Sequence, residues 1–349
     1  MPPVAAHILS IAVAVLGGFL FHLLGVPAAW LSGSVVATVL LSFAGYGRPM
    51  PRPLADAAML ISGATMGAAV TPEALAAIAR YPQSLVALVL AVVAITLGST
   101  LWLTRVSGWS RDDALLASVP GALSTVMAVA VDRKAAVASI AMVQSFRLLV
   151  LLTVLPSAIV LGGGAGRMVA GGGELVASPV SFALTLGGGL ALGLGLERGR
   201  VAAPILLGAA MVSTALHATG TAPGVVPPVL ATGGLVLIGV FVAGRFHTLD
   251  CAAFRRTIPA AAGSFAVGMV VAGLFAVFAA ALAGISLADA LVAFAPGGLE
   301  GMMVLGLVLG LNPLYVGVHH LVRFLGIGLA LPLVMTWLGR SERRDDGGR

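Results

Sequence analysis

Charge is what this 349-residue chain has least of. Asp, Glu, Lys and Arg make up 9% of it, against about 25% in ordinary soluble proteins. A single cysteine, Cys251, excludes a disulfide framework and a cysteine metal site. The six histidines are dispersed and show no ligand spacing, so no metal, no cofactor and no catalytic residue is expected, and the chain does not read as an enzyme. Alternating strands with polar lumen positions are missing, which argues against an outer-membrane barrel. Basic clusters are missing too. The net charge of +6 and pI near 10.6 come from arginines spread over short loops, which excludes nucleic acid as a partner and marks them as topology determinants.

What is abundant is apolar sequence, at 59% of residues and a mean hydropathy of +1.09. A bilayer core of about 30 Å takes roughly 20 apolar helical residues. Twelve segments approach that length, near 4–24, 27–45, 54–71, 81–104, 112–131, 135–161, 178–196, 202–218, 229–244, 258–284, 288–310 and 313–338. The expected fold class is therefore all-α: a polytopic membrane protein with about 10–12 transmembrane helices, multi-pass in the plasma (inner) membrane. No Lys or Arg precedes the first segment, and it exceeds a signal-peptide core, so it is expected to remain as a helix.

The chain states one motif twice. Asp113-Ala114-Leu115 through Pro120-Gly121-Ala122-Leu123 returns half a chain later as Asp289-Ala290-Leu291 through Pro296-Gly297-Gly298-Leu299. Nine of the eighteen positions from Ser110 to Met127 are identical in the second copy, and in the same register Arg147 and Pro156 match Arg323 and Pro332. This reads as two membrane repeats, 1–161 and 178–338, with a Gly-rich connector at 162–177 and a polar, unstructured tail at 339–349. Six crossings per half would make the repeats parallel; five, or one re-entrant segment, would make them inverted. Inversion puts Arg48, Arg52, Arg105, Arg111, Arg245, Arg255 and Arg256 on one side against Arg80, Arg133 and Lys134. The parallel arrangement divides them 4 against 6. The positive-inside rule thus favours inversion.

Ser110 and Ser286 each stand three residues before an aspartate, which suits a helix N-cap with an acidic residue at the positive dipole end. Asp113 and Asp289 therefore read as caps rather than proton carriers. Pro120-Gly121 and Pro296-Gly297 should each break a helix in mid-segment. Such a break survives in a bilayer only within protein or along a water-filled cavity. Paired breaks in two halves point to a transporter site, although a packing kink is the plainer alternative.

Beyond the breaks the copies diverge. Ser124 and Thr125 offer hydroxyls where the second half has Glu300 and Gly301. An unpaired carboxylate at that depth costs at least ~2.5 kcal/mol, so Glu300 is functional or neutralised by a partner. Gln144 and Arg147 match His320 and Arg323, with His319 adjacent, and the i, i+3 spacing puts each pair on one helix face. Two arginines at equivalent depth beside two half-helix N-termini suit a carboxylate or similar anion. Equally, the arginines could bond carbonyls freed by the breaks. The candidate substrate- or ion-binding set is Pro120, Gly121, Ser124, Thr125, Gln144, Arg147, Pro296, Gly297, Gly298, Glu300, His319, His320 and Arg323. His22 and His217 read as packing or hydrogen-bonding residues. The Gly63–Gly67, Gly189–Gly193 and Gly306–Gly310 pairs read as sites of close helix approach.

Gly25-Val26-Pro27, Pro120-Gly121-Ala122-Leu123, Pro296-Gly297-Gly298-Leu299-Glu300 and His319-His320-Leu321-Val322-Arg323 resemble the membrane-embedded AbrB family over nearly the whole chain. The resemblance implies a duplicated all-α fold with broken helices, similar to the cation–proton antiporter and anion-transporter superfamily. It carries two further labels, regulator of gene expression and ammonia monooxygenase; the dispersed histidines argue against the second. The function expected is secondary transport of a small anionic or proton-coupled solute, the alternative a membrane regulator acting indirectly on gene expression. The expected partners are the lipid bilayer and a small solute or ion, with a homodimer left open.

Overall fold

In a computed structural model of the protein, the residues described are 3–70, 76, 81–121, 123–164, 176–199, 201 and 203–346, apart from the side chains of residues 3, 124 and 337–346. Arg80, most of the Gly-rich connector and the side chain of Ser124 fall outside this set. The described residues form fifteen α-helices and no strand. In the first half these are α1 (Pro3–Leu23), α2 (Ala29–Phe43), α3 (Arg52–Ala68), α4 (Tyr81–Arg105), α5 (Arg111–Ser118), α6 (Leu123–Asp132), α7 (Val137–Thr153) and α8 (Leu155–Leu161). In the second they are α9 (Pro179–Arg198), α10 (Pro204–Ala218), α11 (Pro228–Ala243), α12 (Cys251–Ala283), α13 (Leu287–Phe294), α14 (Leu299–Val308) and α15 (Pro313–Asp346). Helix starts at 3, 52, 111, 123 and 137 recur at 179, 228, 287, 299 and 313, all at the offset that carries Asp113 to Asp289. The backbone of α15 runs through Asp346, so most of the stretch expected to be an unstructured tail is helical.

Among the described residues, seven helical spans are long and apolar enough to cross a membrane: 4–23, 81–105, 137–161, 179–198, 228–246, 251–283 and 313–336. They fit a multi-pass membrane protein. Packing sorts the helices into two bundles, each drawing on both halves of the chain. One contains α1–α3 and α9–α11, and small residues bring its backbones together. A Cβ on Gly33 would fall on the Gly17 carbonyl between α1 and α2; one on Gly208 would fall on the Gly193 backbone between α9 and α10. Gly63 and Gly67 of α3 lie equally close to Leu206 and Ala210 of α10, as the small-x-x-x-small spacing predicts. Gly310 departs from that expectation. At φ +64° it terminates α14, while the Leu311 N–H reaches back to Gly306 O (2.9 Å), a helix stop rather than a packing surface.

The second bundle contains α4–α8 and α12–α15. Ser99 of α4 donates to Ser264 O of α12 (3.1 Å), and Ser84 of α4 meets His319 of α15 (2.8 Å). The segments at 112–131 and 288–310 do not continue straight after their breaks. Asp113 Oδ1, at the start of α5, accepts the N–H of Ala136, just before α7 (2.7 Å). Arg133 pairs with Asp112 at 3.5 Å. The chain therefore returns after α6 to the level at which α5 began. In the second half Asp289 Oδ1 accepts the Asn312 N–H at 2.7 Å, with the same consequence for α13 and α14. Each segment is an out-and-back helical hairpin whose tip is the Pro-Gly break.

Candidate functional site

The tips form because of proline. A residue preceding proline is pushed out of the helical region. Val119 (φ −56°, ψ 123°) and Ala295 (φ −54°, ψ 134°) are extended accordingly, ending α5 and α13. Gly121 then takes φ +90°, open at little cost only to glycine. At their starts both helices carry the expected caps: Ser110 Oγ accepts from Asp113 N–H (3.1 Å) and Ser286 Oγ from Asp289 N–H (3.0 Å).

Ending a helix leaves its last carbonyls unpaired, and the next long helix supplies the donors. Gln144 Nε2 donates to Leu116 O (3.1 Å), and Arg147 donates to Ser118 O (3.3 Å) and Val119 O (3.1 Å). In the second half His320 Nε2 donates to Val292 O (2.9 Å), and Arg323 donates to Ala295 O (2.7 Å) and Gly297 O (2.8 Å). Arginine only donates, so the contact from Arg323 to His320 Nδ1 (2.5 Å) makes that nitrogen an acceptor and fixes the neutral tautomer. All four side chains are buried, between 1% and 8% exposed. The two tips meet: a Cβ on Gly121 would lie 3.6 Å from Gly297 O and 3.8 Å from Arg323 Nε.

Beside the tips lies a cavity of about 390 Å³. Of the residues expected at a site, Gly121, Gln144, Arg147, Pro296, Gly297, Gly298 and Glu300 line it, with Ser145, Leu148, Met127 and Phe324. The N-terminal ends of α6 and α14 face it through Leu123 and Leu299. Pro120 and Thr125 are not on its wall; nor is Arg323, which stands behind the tips. His320 is committed to Arg323 and Val292. His319 turns the other way, with Nδ1 against Tyr315 O and Nε2 against Ser84 Oγ, both 2.8 Å, and its ring on Tyr315 (centroids 3.9 Å apart). His22 stacks on Trp30, and His217 contacts the carbonyls of Ser213 and Gly224. Among the described residues no three His, Cys, Asp or Glu side chains form a metal-binding group.

One wall residue escaped the sequence reading. Arg245, in the 3₁₀ turn after α11, reaches Glu300 Oε2 at 3.8 Å. It had counted only as a loop charge. Its equivalent in the first half is Ala69, so the internal duplication gave no signal for it. A second, mostly apolar cavity of about 520 Å³ lies at the opposite ends of α11 and α14, against Trp30, Pro228, Leu307 and the unpaired Ser62 hydroxyl.

Among known families, the model described as transition state regulatory protein AbrB matches residues 30–339. A search of curated proteins finds no match.

Proposed function

The chain belongs to the AbrB family, and from that premise we propose that it is a secondary transporter, in the plasma (inner) membrane, for a small anionic or proton-coupled solute. The observation that carries the proposal is the pair of hairpin tips meeting beside a cavity that holds two arginines, Arg147 and Arg245, and a single carboxylate, Glu300. Arg147 and Arg323 satisfy the C-terminal carbonyls of α5 and α13, which leaves the positive N-terminal ends of α6 and α14 for a solute.

The fold-back of each hairpin supports inverted repeats. Each half then has five crossings, α1, α2, α3, α4 and α7–α8 or their counterparts, plus one re-entrant hairpin. An odd number sets the second half upside down, so the hairpins enter from opposite faces and touch near the middle. Discontinuous helices meeting at a midplane site are the arrangement of many inverted-repeat transporters, the cation–proton antiporter and anion-transporter superfamily included. Cavities at opposite ends of α11 and α14 suit alternating access between the two bundles.

Reconstitution into proteoliposomes tests this, with uptake and counterflow of small organic acids and cations measured with and without a pH gradient. Folded protein that moves none of them would overturn the proposal. The family's regulatory description supports a second reading, in which the protein acts on gene expression indirectly. Expression changes on deletion that persist in a transport-dead point variant would favour it.

A further inference from the structure

We infer that Arg245 and Glu300 form a coupling pair: a small monoanion displaces Glu300 from Arg245 only when Glu300 takes up a proton, so that one proton and one monoanion travel together. This rests on the transporter reading and adds to it the substrate class, the coupling ion and the residues that link them.

The geometry carries it. The pair is 3.8 Å apart, beyond the 2.7–3.2 Å of an N–H···O hydrogen bond. Neither side chain makes another hydrogen bond among the described residues, in contrast to Arg147 and Arg323. Both are about a quarter exposed, at 26% and 23%, and both line the cavity. Arg245 stands over the N-terminal end of α14, where a Cβ on Gly298 would lie 3.7 Å from its Nη1. A guanidinium held loosely at a helix N-terminus can accept an anion, provided the resident carboxylate lets go.

Charge selects the anion. Counting Glu300 as a carboxylate, the cavity wall of Arg147, Arg245 and Glu300 sums to +1. With Glu300 protonated and a monoanion bound, the sum is again +1. The monoanion thus replaces one for one the charge that Glu300 gives up, whereas an anion bound beside the Glu300 carboxylate would set two like charges against one guanidinium, a repulsion that a proton on Glu300 removes. Of the other charged and titratable groups on the helices packed around α14, Tyr315 of α15 is buried with its ring against Tyr81 and His319 and its hydroxyl unpaired, and the rest are engaged elsewhere. Arg147 of α7 holds carbonyls, and Arg323 and His320 of α15 hold carbonyls and each other. His319 of α15 is bound to Ser84 and Tyr315 O, and Asp289 of α13 to Ser286 and Asn312. Arg52 and Asp56 of α3 pair with each other, and Arg52 also with Glu197. Cavity size sets the scale, since about 390 Å³ is near the lower end of the ~300–1,000 Å³ of small-molecule sites.

The test uses the full chain in proteoliposomes, with radiolabelled pyruvate and isethionate as probes and protein-free liposomes as blank. Isethionate, a strong-acid anion, does not cross as a neutral acid. With one-to-one coupling, each pH unit of gradient supports up to about tenfold accumulation, and uptake should be insensitive to membrane potential. In E300Q the ratio of uptake with and without the gradient should fall to one; E300D, which keeps a carboxylate, should restore it. R245Q should lose anion uptake, and R245Q/E300Q should not regain it. A gradient response that persists in E300Q, or one regained in the double variant, would overturn the coupling pair. So would parent counterflow that ignores the gradient, while leaving the transporter reading intact. Absence of counterflow with either probe in folded parent protein overturns the coupling pair as well; if the wider solute panel is also silent, the transporter reading goes with it.

Discussion

Gln144 and His320, at equivalent positions of the two halves, do one job with different chemistry. Each donates a side-chain N–H to the carbonyl four residues before its own Pro-Gly break, Leu116 O at 3.1 Å and Val292 O at 2.9 Å. His320 also steadies Arg323 through its second nitrogen. The exchange of amide for imidazole conserves a structural role. The chemical asymmetry between the halves lies instead where Glu300 and Arg245 stand against Ser124 and Ala69.

A donor at these two positions is what counts. Gln144→His should fold and remain active, because the ring can reach Leu116 O as His320 reaches Val292 O. Gln144→Leu leaves that carbonyl buried and unpaired, at about 1–3 kcal/mol. Thermal denaturation of the two variants in detergent, followed by size-exclusion chromatography, should show the leucine protein melting several degrees lower.

Arg323→Ala leaves Gly297 O and His320 Nδ1 without the partner Arg323 gives them, while Ala295 O keeps the Gly297 N–H (2.8 Å). Each buried group left unpaired costs about 1–3 kcal/mol. The same assay should show a larger loss than for Gln144→Leu, with solute uptake abolished. An Arg323→Ala protein as stable and active as the parent would contradict the role assigned to these bonds.

Asp113 and Asp289 each accept one backbone N–H across the mouth of a hairpin. Asparagine keeps an acceptor there, so Asp113→Asn and Asp289→Asn should transport normally across the pH range. The alanine variants should lose about 0.5–2 kcal/mol, as for a lost helix cap. Transport that stops in the asparagine variants would instead mark these carboxylates as proton carriers.

The inverted arrangement proposed above makes a labelling prediction. In a Cys251→Ser background, Asp132→Cys and Leu287→Cys sit at the outer ends of the first and second hairpins. A membrane-impermeant maleimide applied from one side of oriented vesicles should label one and spare the other. Labelling of both from the same side would rule out inversion.

The backbone contact between α9 and α10 leaves no room for a side chain at Gly208. Gly208→Val should cost about 1–3 kcal/mol or more through overpacking, read as reduced yield of monodisperse protein. Gly187→Val, where nothing lies within 4 Å of a Cβ, is the matched control.

Much of this architecture was legible because the informative residues are scarce. In an apolar chain, Pro120-Gly121 and Pro296-Gly297 announce where helices must stop, and Arg147 and Arg323 announce that something buried must receive their donors. The fold-back was not legible. A long apolar stretch has the same composition whether it crosses or returns, and the return is fixed by backbone N–H groups at Ala136 and Asn312 that have no sequence signature. Arg245 was hidden for a related reason: its partner Glu300 is distant in the chain, and nothing charged marks its counterpart at Ala69.

The meeting of Gly121 with the Gly297 carbonyl has a mechanical meaning. Where the two hairpins touch, backbone meets backbone among the described residues, with the Arg323 side chain beside the contact. Each tip is bolted to its own following helix, Arg147 on one and Arg323 on the other. Bulk is kept out of the junction from within each hairpin rather than across it: a side chain at Gly297 would strike Met302 of its own hairpin, and one at Gly121 would be strained by the φ of +90°.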